Sequence, residues 1–267
     1  MNWSWLILIF IIFVLSWLSG GFVMMFVSER KKIKKITKYL PLIGNIAILI
    51  FIVILWINIE RPPMRTMAET RLWYSFFVAW VTWIIYLLTS DKAIYWLGFI
   101  MTSIFLFIDI IHPEYQSKSL MPALQSPWFI PHVVVYMISY SVLGASCFSA
   151  IKGLFSLYKK NTISDKYILL SMKLVYPGIG LLTLGMLMGA LWAKIAWGNY
   201  WSWDPKETWA LLTWFFYLIT IHIHHSFPNK KKLLLWILGL SFIVLIITWM
   251  GIKYIAPSMQ SIHIYGG

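Results

Sequence analysis

The sequence predicts an all-α polytopic membrane protein with about eight transmembrane helices, and three observations lead to this fold class. Of the 267 residues, 60% are hydrophobic and 12% are charged, which is too few polar residues to coat a soluble globule of this size. Apolar runs of about 18 residues or more, the length that a transmembrane helix needs, recur along the chain. Cations are concentrated in alternate connections between these runs. No internal repeat stands out, so residues 1–267 are interpreted as a single integral membrane domain.

Short polar connections separate the apolar runs from one another. The first run follows Met-Asn-Trp-Ser-Trp, with no basic segment before it and no small-residue cleavage site after it. It is therefore interpreted as a retained span and not as a signal peptide. The predicted spans are residues 3–27, 40–57, 72–89, 93–111, 133–151, 174–193, 209–227 and 233–252.

The distribution of lysine and arginine predicts the orientation of the chain. Most of the 22 cations lie in the connections 28–39, 152–173 and 228–232 or at Lys92. By the positive-inside rule, these connections lie in the cytoplasm. Both termini are then expected on the outer (periplasmic) side, together with the connection between the sixth and seventh spans. The net charge of +13 is explained by this topology, so no nucleic-acid partner is expected.

Several classes of catalytic site have no counterpart in the sequence. Cys147 is the single cysteine, which excludes a disulfide framework and a redox pair of thiols. No Walker-type glycine loop is present, so the chain is not expected to hydrolyse ATP. No Ser/His/Asp or Cys/His arrangement is visible, and the catalytic residues stay unknown.

A tryptophan-rich segment, residues 192–209, connects the sixth and seventh predicted spans. At its end, Asp204 has the position of a helix N-cap, Pro205 that of the first helical residue, and Glu207 that of the partner in a capping box. A helix is therefore predicted to begin at Pro205. Two roles stay open for Asp204, capping of this helix and a direct role in binding.

The tryptophans of this segment predict a binding surface. Trp197 and Trp201 are four residues apart and are predicted to share one face of a helical turn, which ends before Trp203. Tryptophan is also enriched at the membrane–water interface. Such interfacial belts scatter one or two aromatic residues at each helix end, whereas this run is dense. It therefore favours a surface for a large, flat and apolar ligand.

Two histidines have the same predicted depth as the tryptophan-rich segment. His132 precedes the fifth span at its outer end, and His263 lies in the tail beyond the eighth span. A lone interfacial histidine is more often solvated than a ligand. Two of them beside a tryptophan surface favour haem, because haem iron takes imidazole as an axial ligand and a porphyrin needs flat aromatic walls.

His222 lies inside the seventh predicted span, where an ionisable side chain is costly and a function is expected. A hydrogen bond to a neighbouring helix and ligation of haem both stay open. His224 and His225 follow near the cytoplasmic end and are interpreted as interfacial. His112, in an outer loop, has no spacing that argues for ligation.

The tryptophan-rich segment resembles the WWD signature of haem-handling proteins in cytochrome c maturation, through Trp197, Gly198, Trp201 and the run from Trp203 to Trp209. The ending Asp-Pro-Lys-Glu-Thr-Trp resembles the CcsA (ResC) branch of this family, System II, more than the CcmC haem-delivery branch. The resemblance extends from about Arg61 to the C-terminus.

This resemblance implies a set of haem-binding residues. His132 and His263 match the outer histidines that flank the WWD segment as axial ligands of the iron. His222 resembles an intramembrane histidine that touches haem on its way from the cytoplasmic side, with a partner histidine from a second protein. The implied binding residues are Trp192, Trp197, Trp201, Trp203, Asp204, Trp209 and His222.

The expected function is that of a haem-handling subunit of a membrane cytochrome c synthetase. The resemblance implies that haem b, bound non-covalently as substrate, is presented to the Cys-x-x-Cys-His motif of an apocytochrome c for thioether formation. A ResB/CcsB-like membrane partner is expected, in the bacterial cytoplasmic membrane or an equivalent energy-transducing membrane. Candidate partners for the haem propionates are the outer cations Arg61, Arg65, Lys194 and Lys206.

Two other functions stay open. One is a CcmC-like haem exporter or delivery protein that has no attachment activity. The other is a membrane electron carrier with haem b, which would need two histidines deep in the bilayer on facing spans, whereas only His222 has such a position.

Overall fold

The computed structural model of the protein describes residues 3–26, 38–116, 126–160, 162 and 164–251, and these form eight long α-helices. Each helix overlaps one predicted span, which confirms the predicted all-α class. Short 3-10 turns at Trp3–Trp5 and Pro113–Gln116 and a π-helical turn at Ile247–Gly251 accompany them. The helices are α1 (Leu6–Phe26), α2 (Pro41–Ile59), α3 (Met67–Thr89), α4 (Lys92–Ile111), α5 (Phe129–Lys160), α6 (Asp165–Trp197), α7 (Pro205–Ser226) and α8 (Lys231–Ile246).

Seven of the eight helices in the described part of the chain are long and apolar enough to cross a membrane. The exception is α7, in which three histidines, Lys206 and Glu207 lower the hydropathy of an otherwise apolar sequence. The chain is a polytopic membrane protein. The side of the membrane on which its termini and its tryptophan-rich segment lie stays a prediction.

Helices α5 and α6 are longer than the spans predicted within them. They have 32 and 33 residues, or about 50 Å each at 1.5 Å per residue, against about 30 Å for the hydrocarbon core. The expectation of a polar loop at 152–173 is wrong, because Lys152 lies in α5 and both Lys166 and Lys173 lie in α6. Lysines can occupy helical turns that continue past the apolar part, since their long side chains reach water.

The contacts divide the chain into two compact units, Met1–Leu120 and Met121–Tyr265. The first unit has an aromatic core in which Phe13, Trp17 and Tyr95 are fully buried. The Trp17 indole donates a hydrogen bond to Asn45 Oδ1 at 3.1 Å, and the Tyr95 hydroxyl donates to the Trp17 carbonyl. These two polar ring atoms thus find partners inside the apolar core, where an unpaired polar group is costly. The interpretation as one integral domain stays a prediction.

Paired charges lie where α3 begins and α4 ends. Thr66 caps α3 in a capping box with Glu69, and Glu69 accepts two hydrogen bonds from Arg61, at 2.7 and 3.0 Å. Arg71 donates through Nε to Asp109 Oδ1 at 2.6 Å, and both of these side chains are buried. Pairing of this kind offsets the cost of removing the charges from water.

The second unit is built on an antiparallel hairpin of α5 and α6. The hydroxyl of Ser139 donates to the Gly178 carbonyl at 2.8 Å, and that of Ser146 donates to the Ser171 carbonyl at 2.9 Å. Small residues let the two backbones approach closely, and hydroxyl groups then bond across the helix interface.

Helices α7 and α8 complete the second unit through two polar contacts in an apolar interface. The hydroxyls of Thr213 and Thr248 are 2.8 Å apart, and those of Thr220 and Ser241 are 3.2 Å apart. Thr248 belongs to the π-helical turn that continues α8.

Candidate functional site

His132 lies in the first turn of α5, inside a cluster of aromatic rings. Its imidazole stacks on the indole of Trp192, with centroids 5.7 Å apart and planes at 27°, and the Tyr136 ring is 4.5 Å away. Trp192 is only 3% exposed and also contacts Phe129 at 5.3 Å and Trp197 at 4.8 Å. The structure thus brings together His132, Trp192 and Trp197 of the predicted site. Together with Phe129 and Tyr136, they form a cluster of five aromatic rings.

A backbone hydrogen bond orients the imidazole of His132. Its Nδ1 is 2.7 Å from the carbonyl oxygen of Gly185 on α6. A carbonyl only accepts, so the hydrogen is assigned to Nδ1, and in the neutral ring Nε2 then carries the lone pair. Metal-binding histidines are commonly held in this way, with one nitrogen on the metal and the other donating to a carbonyl or carboxylate.

The end of α6 separates Trp197 from the tryptophans that follow it. The helix stops at Gly198, which has φ +86° and donates its N–H to the Lys194 carbonyl at 3.1 Å. Glycine adopts this left-handed conformation readily and so terminates helices. The expectation that Trp197 and Trp201 share one helical face is therefore wrong, because only Trp197 is helical.

Trp201 and Trp203 form a second aromatic pair, with ring centroids 5.9 Å apart at 86°. Trp203 has φ +58°, which costs a bulky residue about 1–3 kcal/mol. Its side chain is nevertheless 68% exposed. The buried Nε1 of Trp201 meets no hydrogen-bond partner among the described residues. The segment thus presents an exposed indole on a strained backbone next to a buried indole whose N–H has no partner in the described part of the chain.

The capping box predicted at the start of α7 is confirmed. Asp204 is buried, and its side chain accepts a hydrogen bond from the Lys206 N–H at 2.9 Å. Glu207 accepts hydrogen bonds from the backbone N–H groups of Ser202 and Asp204, at 2.8 and 3.3 Å. These bonds flank Trp203 on both sides and hold its backbone in place. Of the two roles left open for Asp204, capping is therefore the one that the structure displays.

Trp209 lies one turn into α7 and is half-buried. Its carbonyl accepts hydrogen bonds from the hydroxyls of Thr213 and Thr248, at 2.8 and 3.2 Å. The residue therefore links the end of the tryptophan-rich segment to α8.

His222 lies four residues before the end of α7, and its side chain is exposed. Its Nδ1 is 3.5 Å from the Ser226 hydroxyl. The end of the helix is about 6 Å away at 1.5 Å per residue, so His222 lies in the last turns of α7. Next to it, the Nε2 of His225 is 2.9 Å from the Tyr176 hydroxyl.

His263, the second predicted axial ligand, lies outside the described residues, so its meeting with His132 stays a prediction. Among the described residues, no group of three or more His, Cys, Asp or Glu side chains could hold a metal ion. Haem iron takes at most two axial ligands from protein and does not need such a group.

Arg61 and Lys194, both considered for the propionates, make hydrogen bonds within the protein. Arg61 makes the paired hydrogen bonds to Glu69 in the first unit. Lys194 donates through Nζ to the Gly198 carbonyl at 2.7 Å, so it closes the turn at the end of α6. Burial, followed by the nearby charge of Arg61, lowers the pKa of Arg65.

Sequence reasoning missed three residues around His132. Tyr136 follows it by one helical turn, a spacing that predicts a shared face. Gly185 and Gly189 form a Gly-x-x-x-Gly pair on α6, which by itself indicates only close helix packing. The register of the α5–α6 hairpin places this pair against His132 and Tyr136.

Comparison with known proteins gives the family. The sequence model of the family described as "Cytochrome C assembly protein" matches residues 56–259. The chain belongs to this family. The matched range begins close to Arg61, where the resemblance was predicted to start, so the recognition from the tryptophan-rich segment is confirmed.

Individual relatives in this family carry the name "Cytochrome c biogenesis protein CcsA". The one from Mesostigma viride is 30% identical over 269 residues, covering 84% of either chain. The one from Guillardia theta is 31% identical and covers 79% of either chain. A third, from Prochlorococcus marinus (strain MIT 9312), is 34% identical over 177 residues, covering 54% of this chain and 57% of its own. The chain is thus similar to these proteins over most of its length.

Proposed function

We propose that the chain is the haem-handling subunit of a membrane cytochrome c synthetase. A role in cytochrome c assembly follows from the family. The proposal adds that haem b, bound non-covalently, is the substrate and that the second unit presents it for covalent attachment. One observation carries the proposal: the imidazole of His132 packs on Trp192 and donates a hydrogen bond through Nδ1 to a backbone carbonyl. Nε2 is therefore the nitrogen that can bind iron.

On the outer side, His132 and His263 bind the iron from opposite faces, and Trp197, Trp201 and Trp203 supply flat apolar surfaces for the porphyrin. The exposed indole of Trp203 supports this role. The buried Trp192 belongs to the site as the ring that packs against His132. Two imidazoles fill both axial positions, which keeps oxygen from the iron. The vinyl edge is left accessible to a second protein.

Attachment then requires positioning more than acid–base catalysis. The Cys-x-x-Cys-His segment of an apocytochrome c docks against the vinyl edge. Each cysteine S–H adds across one vinyl C=C, so that a C–S bond forms at one carbon and a C–H bond at the other, with no net oxidation or reduction. The apocytochrome histidine replaces one of the two holding imidazoles.

An inner site on α7 supplies the haem. His222 is exposed near the helix end, which suits a site that a second protein completes. The partner is a ResB/CcsB-like membrane protein, and the location is the bacterial cytoplasmic membrane or an equivalent energy-transducing membrane. An electron carrier with haem b fits less well, because His132 and His222 lie near the ends of their helices and not on facing turns at mid-membrane.

The deciding experiment scores covalent haem on an apocytochrome c that is co-expressed with this chain and a ResB/CcsB-like partner. His132→Ala is expected to abolish the covalent product, and added imidazole is expected to restore part of it. Haem that stays bound to the chain without any covalent product, with every partner present, would instead establish the exporter. Unchanged product in His132→Ala would overturn the assignment of His132.

A further inference from the structure

Two glycines of α6 lie against the rings that surround the proposed axial ligand. A Cβ atom added to Gly189 would be 2.8 Å from Cε1 and 2.9 Å from Nδ1 of His132. One added to Gly185 would be 2.3 Å from Cδ1 of the Tyr136 ring. Ordinary van der Waals contacts are about 3.5–4.0 Å. The rings therefore occupy space that any other residue at these positions would fill.

We infer that Gly185 and Gly189 form a seat that fixes the position and the tautomer of the His132 imidazole. The inference rests on the proposed function, in which His132 Nε2 binds haem iron. Gly189 provides the space for the ring, and Gly185 provides the carbonyl that holds Nδ1–H. Both are positioning residues, since they act through His132.

Three groups contact the imidazole. They are the Trp192 indole, the Tyr136 ring and the backbone of α6 at Gly185 and Gly189. A Cβ at position 189 would press on Cε1, the ring carbon between the two nitrogens. To restore ordinary contact, the ring must move by roughly half an ångström or more. Binding residues must be held within about half an ångström of their productive position, so this movement is large enough to weaken binding. The same movement lengthens the hydrogen bond to Gly185.

The hydrogen bond also tunes the ligand. A carbonyl that accepts from Nδ1–H raises the basicity of Nε2 and strengthens its donation to a metal. An imidazole displaced from Gly185 is a weaker and less well oriented ligand. Loss of the seat is therefore expected to appear in the properties of bound haem and not only in folding.

Two further glycines on α6 provide control positions, which distinguish an effect on His132 from a general effect on helix packing. At Gly178, an added Cβ would be 2.4 Å from the side chain of Leu143, on the same hairpin but at some distance from His132. At Gly180, an added Cβ meets nothing within 4 Å. Gly178→Ala thus disturbs packing without touching the imidazole, and Gly180→Ala disturbs neither.

The test is the absorption spectrum and haem content of the purified full-length chain loaded with haem b, for the wild type, Gly189→Ala, Gly178→Ala, Gly180→Ala and His132→Ala. Gly189→Ala is expected to lose the low-spin bis-imidazole signature and to bind haem about 10- to 100-fold more weakly, the usual effect of losing support for a metal ligand. Added imidazole is expected to restore the signature. Gly180→Ala is expected to match the wild type, and Gly178→Ala to unfold at a lower temperature with an unchanged spectrum.

The outcomes distinguish the seat from the proposed function. A wild-type spectrum in Gly189→Ala, together with loss in His132→Ala, overturns the seat and leaves the function standing. Equal spectral loss in Gly178→Ala and Gly189→Ala assigns the effect to packing and also overturns it. A wild-type spectrum in His132→Ala overturns both. If Gly189→Ala gives too little protein, Gly185→Ala replaces it, because its Cβ displaces Tyr136 and so the imidazole; an unchanged spectrum there counts against the seat.

Discussion

The two units offer different partners to an ionisable side chain inside the protein. In the first, Arg71 and Asp109 face each other and cancel each other's charge at 2.6 Å. In the second, His132 bonds to a backbone carbonyl and packs on aromatic rings. A side chain matched by an opposite charge is committed to structure, whereas an imidazole oriented through one nitrogen by the backbone can offer the other to a metal. The first unit is therefore interpreted as scaffold and the second as the site of haem chemistry.

The largest change in the free energy of unfolding is expected when the ion pair of the first unit is broken. Arg71→Ala leaves Asp109 buried without its cation, and removing one partner of a buried pair costs about 3–5 kcal/mol in the free energy of unfolding. The measurement is thermal or denaturant unfolding of the purified chain in detergent. The haem spectrum of the protein that stays folded is expected to be unchanged.

The matched control replaces both partners. Arg71→Met combined with Asp109→Leu removes both charges and keeps much of the volume, so most of the lost stability is expected to return. A change in haem content of the folded single variant would break the comparison, because the first unit would then take part in binding.

A smaller effect of opposite sign is expected in the tryptophan-rich segment. Trp203 and Ser90 both have positive φ values, +58° and +53°. Glycine relieves this strain, so Trp203→Gly and Ser90→Gly are each expected to raise the free energy of unfolding by about 1 kcal/mol. Only Trp203→Gly is expected to weaken haem binding, because the proposed function places the exposed Trp203 indole against the porphyrin. The measurements are a haem titration and an unfolding curve for each variant. Equal haem affinities of the two variants would show that Trp203 is not part of the binding site.

Local rules gave the parts of the site that depend on neighbours in the sequence. The cap formed by Asp204, Pro205 and Glu207 was predictable because each residue acts within one helical turn. The four-residue spacing of Trp197 and Trp201 does not reveal the end of α6, because Gly198 lies between them and its positive φ ends the helix. Such a glycine after a helical pattern is itself a stop signal.

The environment of His132 could not be predicted from local pattern. His132 and Gly185 are 53 residues apart in the chain, and their contact depends on the register of the α5–α6 hairpin. That register follows from the packing of serines and glycines along the whole interface. The sequence therefore predicted His132 as a ligand without its surroundings, and only the structure showed that Gly185 and Gly189 lie against it.

The smallest effect is expected at an exposed pair of the first unit. His112 Nδ1 lies 2.7 Å from Glu114 Oε1 after the end of α4, and both side chains are open to solvent. A hydrogen bond from the Glu114 backbone, and next the one to His112, lowers the pKa of Glu114 below its ordinary value of 4.5. A lowered carboxylate pKa stabilises the fold above the ordinary pKa, and this contribution is lost as the pH falls through the folded value.

Because exposed pairs are screened by water and salt, Glu114→Gln is expected to leave the unfolding temperature unchanged at pH 7. The variant is expected only to flatten any slope below pH 4.5 in unfolding curves recorded across the acid range. A clear loss of stability at pH 7 would show that this end of the first unit depends on the pair, in the way that the buried part depends on Arg71 and Asp109.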